Sequence, residues 1–148
     1  MKKVLQALIV LLLIAIFAIP AFYYGQLPEE IPSHYNASGE VDDYSGKSMI
    51  WFLPVIGLVL GALIWFVFSK LPKVNVDKAP QKLPELFKEL FILFILLVFN
   101  YISFTTIQVA LGYEESLGRW FLPTMLAVVF LILMLLVWPK IRKQSKEK

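Results

Sequence analysis

Four stretches of this chain carry no charged residue at all: 4–28, 48–69, 90–113 and 120–139. An α-helix rises about 1.5 Å per residue, so about 20 apolar residues cross a hydrocarbon core about 30 Å thick. Each run reaches that length, and none is broken by the polar face that a surface helix of a soluble domain needs. The pattern predicts an all-α integral membrane protein with four transmembrane helices, over about 4–25, 49–69, 88–112 and 120–139. All 148 residues then form a single four-helix membrane domain, without a separate catalytic module. Composition agrees: 59% hydrophobic and 17% charged, against roughly 45–50% and 25% in soluble domains. The absence of cysteine excludes disulfide frameworks, thiolate metal sites and a cysteine nucleophile.

Met1-Lys2-Lys3 before an apolar run also has the shape of a signal peptide. The run is long, however, and Ala18-Ile19-Pro20-Ala21 is a poor cleavage site, so the first helix is expected to stay. Charge then sets the orientation. Both termini and the 70–89 segment hold twelve basic residues against four acidic ones, whereas the other two connections hold two against seven. By the positive-inside rule the termini are cytoplasmic, and the 26–48 and 114–119 loops lie outside. Tyr23, Tyr24, Trp51, Tyr113 and Trp120 fall at the outer boundary, where amphipathic rings favour the headgroup layer. The basic segments are juxtamembrane, so their partner is the lipid bilayer and not nucleic acid.

Within the spans, Gly57 and Gly61 form a small-xxx-small pair that lets another helix approach closely. That helix is either one of this chain or one of a second copy, as in a homo-oligomer. Span three is the most polar: Asn100, Ser103, Thr105, Thr106 and Gln108 occupy its outer half. Asn100 and Ser103 share a face, and Thr106 and Gln108 diverge to either side. Polar groups at that depth point into the bundle, either as interhelical hydrogen bonds or as the lining of a cavity open to the outside. Leu71-Pro72, Ala79-Pro80 and Leu83-Pro84 break the middle segment, and an interfacial helix from Leu83 leads into span three.

The scarce polar residues concentrate in the outer loop, 26–48. Pro28 and Pro32 hold its first part extended, and Asn36 to Gly39 and Tyr44 to Gly46 have turn chemistry. A short hairpin capping the bundle is expected there. Leu27, Pro28, Ile31, Pro32, His34, Tyr35, Asn36, Gly39, Asp42 and Lys47 follow in order the pattern L-P-x-x-I-P-x-H, an aromatic residue, a turn Gly, an Asp and a Lys. In these positions the chain resembles the SdpI-like bacterial membrane proteins, specifically their N-terminal domain of unknown function. The resemblance covers about the first half of the chain. It implies a multi-pass protein of the bacterial cytoplasmic membrane and a role in immunity to a secreted toxin peptide or in sensing an extracytoplasmic ligand. SdpI also binds a repressor at the membrane. The resemblance takes in one membrane module where SdpI has two, so the repressor-binding role is not expected here.

Apart from the resemblance, the loop allows several chemistries. His34 is the only histidine, so a metal site would need carboxylates such as Glu30 and Asp42 beside it. Asn36, Ser38, Glu40 and Asp42 alternate as oxygen donors, but Lys47 stands where a calcium loop places its bidentate Glu. Ser33 next to His34 is not a nucleophile–base pair by adjacency. A structural reading is equally open: His34 hydrogen-bonded against the bundle, and Asp42 paired with Lys47 to pin the hairpin. Three function classes follow. The first is a non-enzymatic protein with a recognition cap for a toxin peptide or a lipid headgroup, with no cofactor. The second is a small transporter or flippase subunit with a polar path through span three. The third is a membrane enzyme or divalent-metal site using His34.

Overall fold

Apolar runs of membrane length become helices of membrane length. The computed structural model describes residues 2–70 and 82–144. Helix α1 covers Lys2–Tyr23, α2 Phe52–Lys70, α3 Lys82–Ala110 and α4 Phe121–Gln144. Three apolar stretches among the described residues are long enough to cross a membrane: Lys2–Tyr23, Lys47–Val67 and Lys88–Ala110. The fourth helix has 24 residues and opens with the apolar run Phe121–Leu131. The protein is thus a mostly helical, membrane-type chain with three to four such helices.

It is not all-α. Between α1 and α2 stand two antiparallel strands, β1 (Glu30–Tyr35) and β2 (Val41–Gly46), followed by a 3₁₀ turn over Lys47–Trp51. The hairpin is as expected, but the interfacial helix is not a separate element: the backbone runs unbroken from Lys82 to Ala110. Pro84 is its third residue, as Pro54 is in α2 and Pro123 in α4. The first N–H groups of a helix have no partner, so proline there forfeits nothing. Pro20 differs because it lies inside α1 and withholds the donor that the Ile16 carbonyl would otherwise receive. The breaks expected at Leu71-Pro72 and Ala79-Pro80 lie outside the described residues.

Helix α3 is central, and α1 and α2 both pack chiefly against it. A Cβ on Gly57 would come within 3.2 Å of Phe99 Cδ2 and 3.5 Å of Ile16 Cδ1, so the bare glycine lets α2 approach both neighbours closely. Asn100 Nδ2 donates to the Leu12 carbonyl of α1 (3.2 Å) and to Leu96 of its own helix (2.8 Å). Between helices in lipid no water is displaced, and close packing with a few interhelical hydrogen bonds carries the association. At the end of the bundle that bears the hairpin the physics changes. Leu27, Ile31, Ile50 and Ile107 form a buried cluster bordered by Tyr23, Tyr24, Trp51 and Leu111. In contact with water, each such side chain contributes about 1.5–3 kcal/mol on burial. The hairpin is therefore seated on the helices by a small core of its own.

Candidate functional site

The hairpin begins with residues that cannot be helical. Pro28 and Pro32 fix φ, and Ile31 before Pro32 is pushed to the extended region. Proline is tolerated in β1 because each strand of a two-stranded sheet is an edge. The turn is organised by one side chain. Asn36 Oδ1 accepts the amides of Ser38 (2.8 Å) and Glu40 (3.1 Å), while its Nδ2 donates to Glu40 Oε2 (2.9 Å). Gly39 sits in this turn at φ +81°, a region open to glycine and costly for other residues.

The strands pair Glu30 with Gly46, Ile31 with Ser45, Pro32 with Tyr44, His34 with Asp43, and Tyr35 with Val41. Ser33 and Asp42 are thus each an extra residue in their strand, and these two bulges decide which side chains meet. Without the second bulge His34 would share a face with Asp43; with it, His34 Nδ1 lies 2.6 Å from Asp42 Oδ1. The carboxylate accepts the Nδ1 proton and leaves Nε2 as the free nitrogen of a ring that is 68% exposed. At the open end of the hairpin, Lys47 N donates to the Glu29 carbonyl (2.9 Å) and Lys47 Nζ to Glu29 Oε1 (2.8 Å). The expected Asp42–Lys47 bridge is corrected by this register. Lys47 follows Gly46, which faces Glu30, so its neighbour is Glu29, and Asp42 belongs to His34.

The opposite face of the hairpin meets the helices. Ile31 is fully buried, and Tyr35 Oη lies 3.0 Å from Thr106 Oγ1 on α3. Burial pushes the Tyr35 phenol above the ordinary tyrosine range; the Thr106 hydrogen bond offsets part of that, and Tyr44 adds a smaller rise. Tyr35, and not His34, ties the hairpin to the bundle. Ser33 Oγ is buried, without a hydrogen-bond partner among the described residues, whereas His34 is exposed. The adjacent pair therefore does not combine as nucleophile and base.

A second segment completes the cap. After Ala110 the chain turns at Gly112 (φ +76°) and crosses the tip of the hairpin, where Leu117 N donates to the Gly39 carbonyl (2.8 Å) and Ser116 bridges Glu40. Gly39 is needed twice, because a Cβ there would also lie 2.8 Å from the Gly118 carbonyl oxygen. Tyr101 on α3 donates its hydroxyl to the Leu117 carbonyl (3.0 Å) and stacks on Phe121 at 5.2 Å. Loops far apart in the chain thus share one surface. It presents Glu29, Glu30, Glu40, Asp42, Asp43, Glu114 and Glu115, all exposed, with Lys47 and Arg119 as the cations of these segments.

The structure divides the residues expected to form a site. His34, Asn36, Gly39, Asp42, Lys47 and Tyr35 gather in the hairpin, with Pro28 and Pro32 shaping its first strand. The span-three surface does not act as one unit. Thr106 supports Tyr35 and Gln108 lies at the top of α3, but Ser103 and Asn100 lie deeper, Asn100 against α1, with Ser103 Oγ and Asn100 Oδ1 buried and unpartnered among the described residues. Asn100 is about 9 Å below Thr106 along the helix axis. Glu30 is opposite Gly46, away from His34, and no three His, Cys, Asp or Glu side chains are grouped for a metal among the described residues. Sequence reasoning missed Tyr101 and Leu117, and it took Glu40 only as an oxygen donor of the loop. The signal for Tyr101 was present: a phenol in an apolar helix needs a partner for its hydroxyl.

Residues 11–58 match the family described as a domain of unknown function, DUF1648. The match takes in the second half of α1, the hairpin and the first turns of α2. An uncharacterized protein of Archaeoglobus fulgidus is 34% identical over 79 residues, which covers 51% of this chain and 43% of that protein. The matched region is thus less than half of the length of that relative. No solved structure matches the chain.

Proposed function

We propose that this chain is a non-enzymatic multi-pass protein of the cytoplasmic membrane whose cap binds a cationic peptide on the outer side, as in SdpI-like toxin immunity. The reading rests on one observation: two acidic loops are joined through Gly39 and Leu117 into a single surface on a fixed platform. Seven carboxylates against two cations give that surface a negative field, which draws cationic ligands and disfavours anionic ones. The His34–Asp42 and Asn36–Glu40 pairs hold polar groups in place before a ligand arrives, which lowers the entropy cost of binding. The orientation follows from the basic residues at the other end of the bundle.

The test is survival of sensitive cells expressing the chain and challenged with the secreted peptide toxin against which SdpI protects. Protection should be lost when Glu40, Asp42 and Asp43 are all replaced by the corresponding amides. Binding of a fluorescent cationic peptide to the purified protein should weaken as salt rises, because exposed charges are screened over about 8 Å at 0.15 M. If the triple amide variant protects as well as the parent, or if binding ignores salt, the proposal fails.

A further inference from the structure

Away from the cap, the bundle encloses a cleft of about 350 Å³ between α1, α2 and α3. That volume lies within the roughly 300–1,000 Å³ of small-molecule pockets. Its walls are apolar, and Gly61 and Ala62 on α2 leave it wide. From Glu89 to Leu96 it runs about 10 Å along α3. The wide end is not apolar. Gln6, Lys88 and Glu89 line it, Glu89 is only 4% exposed, and Gln6 Nε2 donates to Glu89 Oε1 at 3.2 Å. The Gln6 amide is neutral, and a buried carboxylate gains from a cationic hydrogen-bond donor.

We infer that this cleft is a binding site for one membrane phospholipid with an ethanolamine headgroup. The primary ammonium sits at Glu89 with its N–H groups donating to the carboxylate, the phosphate lies at Lys88, and an acyl chain fills the channel toward Leu96. Charge complementarity selects the occupant. Adjacent residues of opposite sign at the mouth match a zwitterion, the apolar depth matches a chain, and a purely anionic lipid would meet Glu89 as a like charge. A choline headgroup carries the same charge but has no N–H to donate, so it satisfies the carboxylate less well. The site is separate from the cap and does not depend on what the cap binds.

The full chain, purified and delipidated in detergent, is titrated with dioleoyl phosphatidylethanolamine, phosphatidylcholine and phosphatidylglycerol, and bound lipid is counted by native mass spectrometry. The ethanolamine lipid should bind one per chain and at least fivefold more tightly than either of the others. Glu89→Gln, which keeps the shape, should bring ethanolamine and choline lipids within twofold of each other. Ala62→Phe, which fills the channel from its exposed wall, should weaken the ethanolamine lipid at least tenfold with unchanged helical content. Equal binding of all three lipids by the parent means an annular lipid only and overturns the inference. An ethanolamine preference that survives in Glu89→Gln overturns it as well, whatever the behaviour of the channel variant.

Discussion

Substituting Gly39 by Ala tests whether the cap is one body. Two costs are separable. Placing a side chain at φ +81° costs about 1–2 kcal/mol from left-handed backbone strain alone. The new Cβ would also stand 2.8 Å from a backbone oxygen of Gly118, and a backbone cannot swing aside as a flexible side chain does. The loop must move, which endangers the 2.8 Å bond from Leu117 N to the Gly39 carbonyl, worth about 0.5–1.5 kcal/mol. It also endangers the burial of Leu117, worth about 1.5–3 kcal/mol when complete. The docking interaction should therefore lose about 2–4 kcal/mol once both are forfeited. At 1.4 kcal/mol per tenfold, hydrogen–deuterium exchange at the Leu117 amide should accelerate by about 30- to 700-fold. Gly112→Ala is the control: it has φ +76° but nothing within 4 Å of its Cβ, so it carries the strain without the collision. Its effect on Leu117 exchange should be at most about 5- to 30-fold, from backbone strain alone. If both variants change Leu117 exchange equally, the tip of the hairpin and the 111–120 loop are not coupled as described.

Tyr35→Phe should lower the melting stability of the cap by about 1–3 kcal/mol, because it strands the buried Thr106 hydroxyl; adding Thr106→Val should recover part of that loss. The pH dependence has a definite sign. The Tyr35 phenol is raised in the folded state, so its contribution is fully present below about pH 10 and is lost as pH climbs through the raised value. The difference in 295 nm absorbance between parent and Tyr35→Phe should therefore titrate on the alkaline side of free tyrosine, and a curve at or below free tyrosine would contradict the burial. Asp42→Asn should change the tautomer of the only histidine: ¹⁵N spectra should show Nδ1–H in the parent and a shift toward Nε2–H in the variant. Asn100→Ala should loosen α1 from α3 by about 0.6–2 kcal/mol, read as faster exchange in α1.

The helices were legible because a membrane span needs only length and an absence of charge, both local properties. The hairpin was legible for a similar reason, since Asn36 and Gly39 specify their turn without help from the rest of the chain. Pairing was not. One bulge at Asp42 brings that carboxylate to His34, the Glu30–Gly46 pairing puts Lys47 beside Glu29, and no spacing rule announces a bulge. The docking of the 111–120 loop on Gly39 was hidden as well, because both partners are backbone groups that every residue possesses. Glu89 directly precedes the charge-free run 90–113, and nothing in that position announces burial. Only the continuation of α3 back to Lys82 and its packing on α1 bury that carboxylate.

The contact between Tyr35 and Thr106 joins residues 71 apart in the chain, and this sets an order of events during synthesis. At about 5–20 residues per second, Tyr35 waits roughly 4–14 s before the residue that carries its hydroxyl partner has been made. Between the emergence of Tyr35 and that of Thr106, Ile31 and Tyr35 have left the ribosome while Thr106 and Ile107 have not. Biogenesis of this protein therefore contains an obligatory half-built state with an uncovered apolar strand, open to a chaperone at the membrane surface and closed only by the arrival of α3.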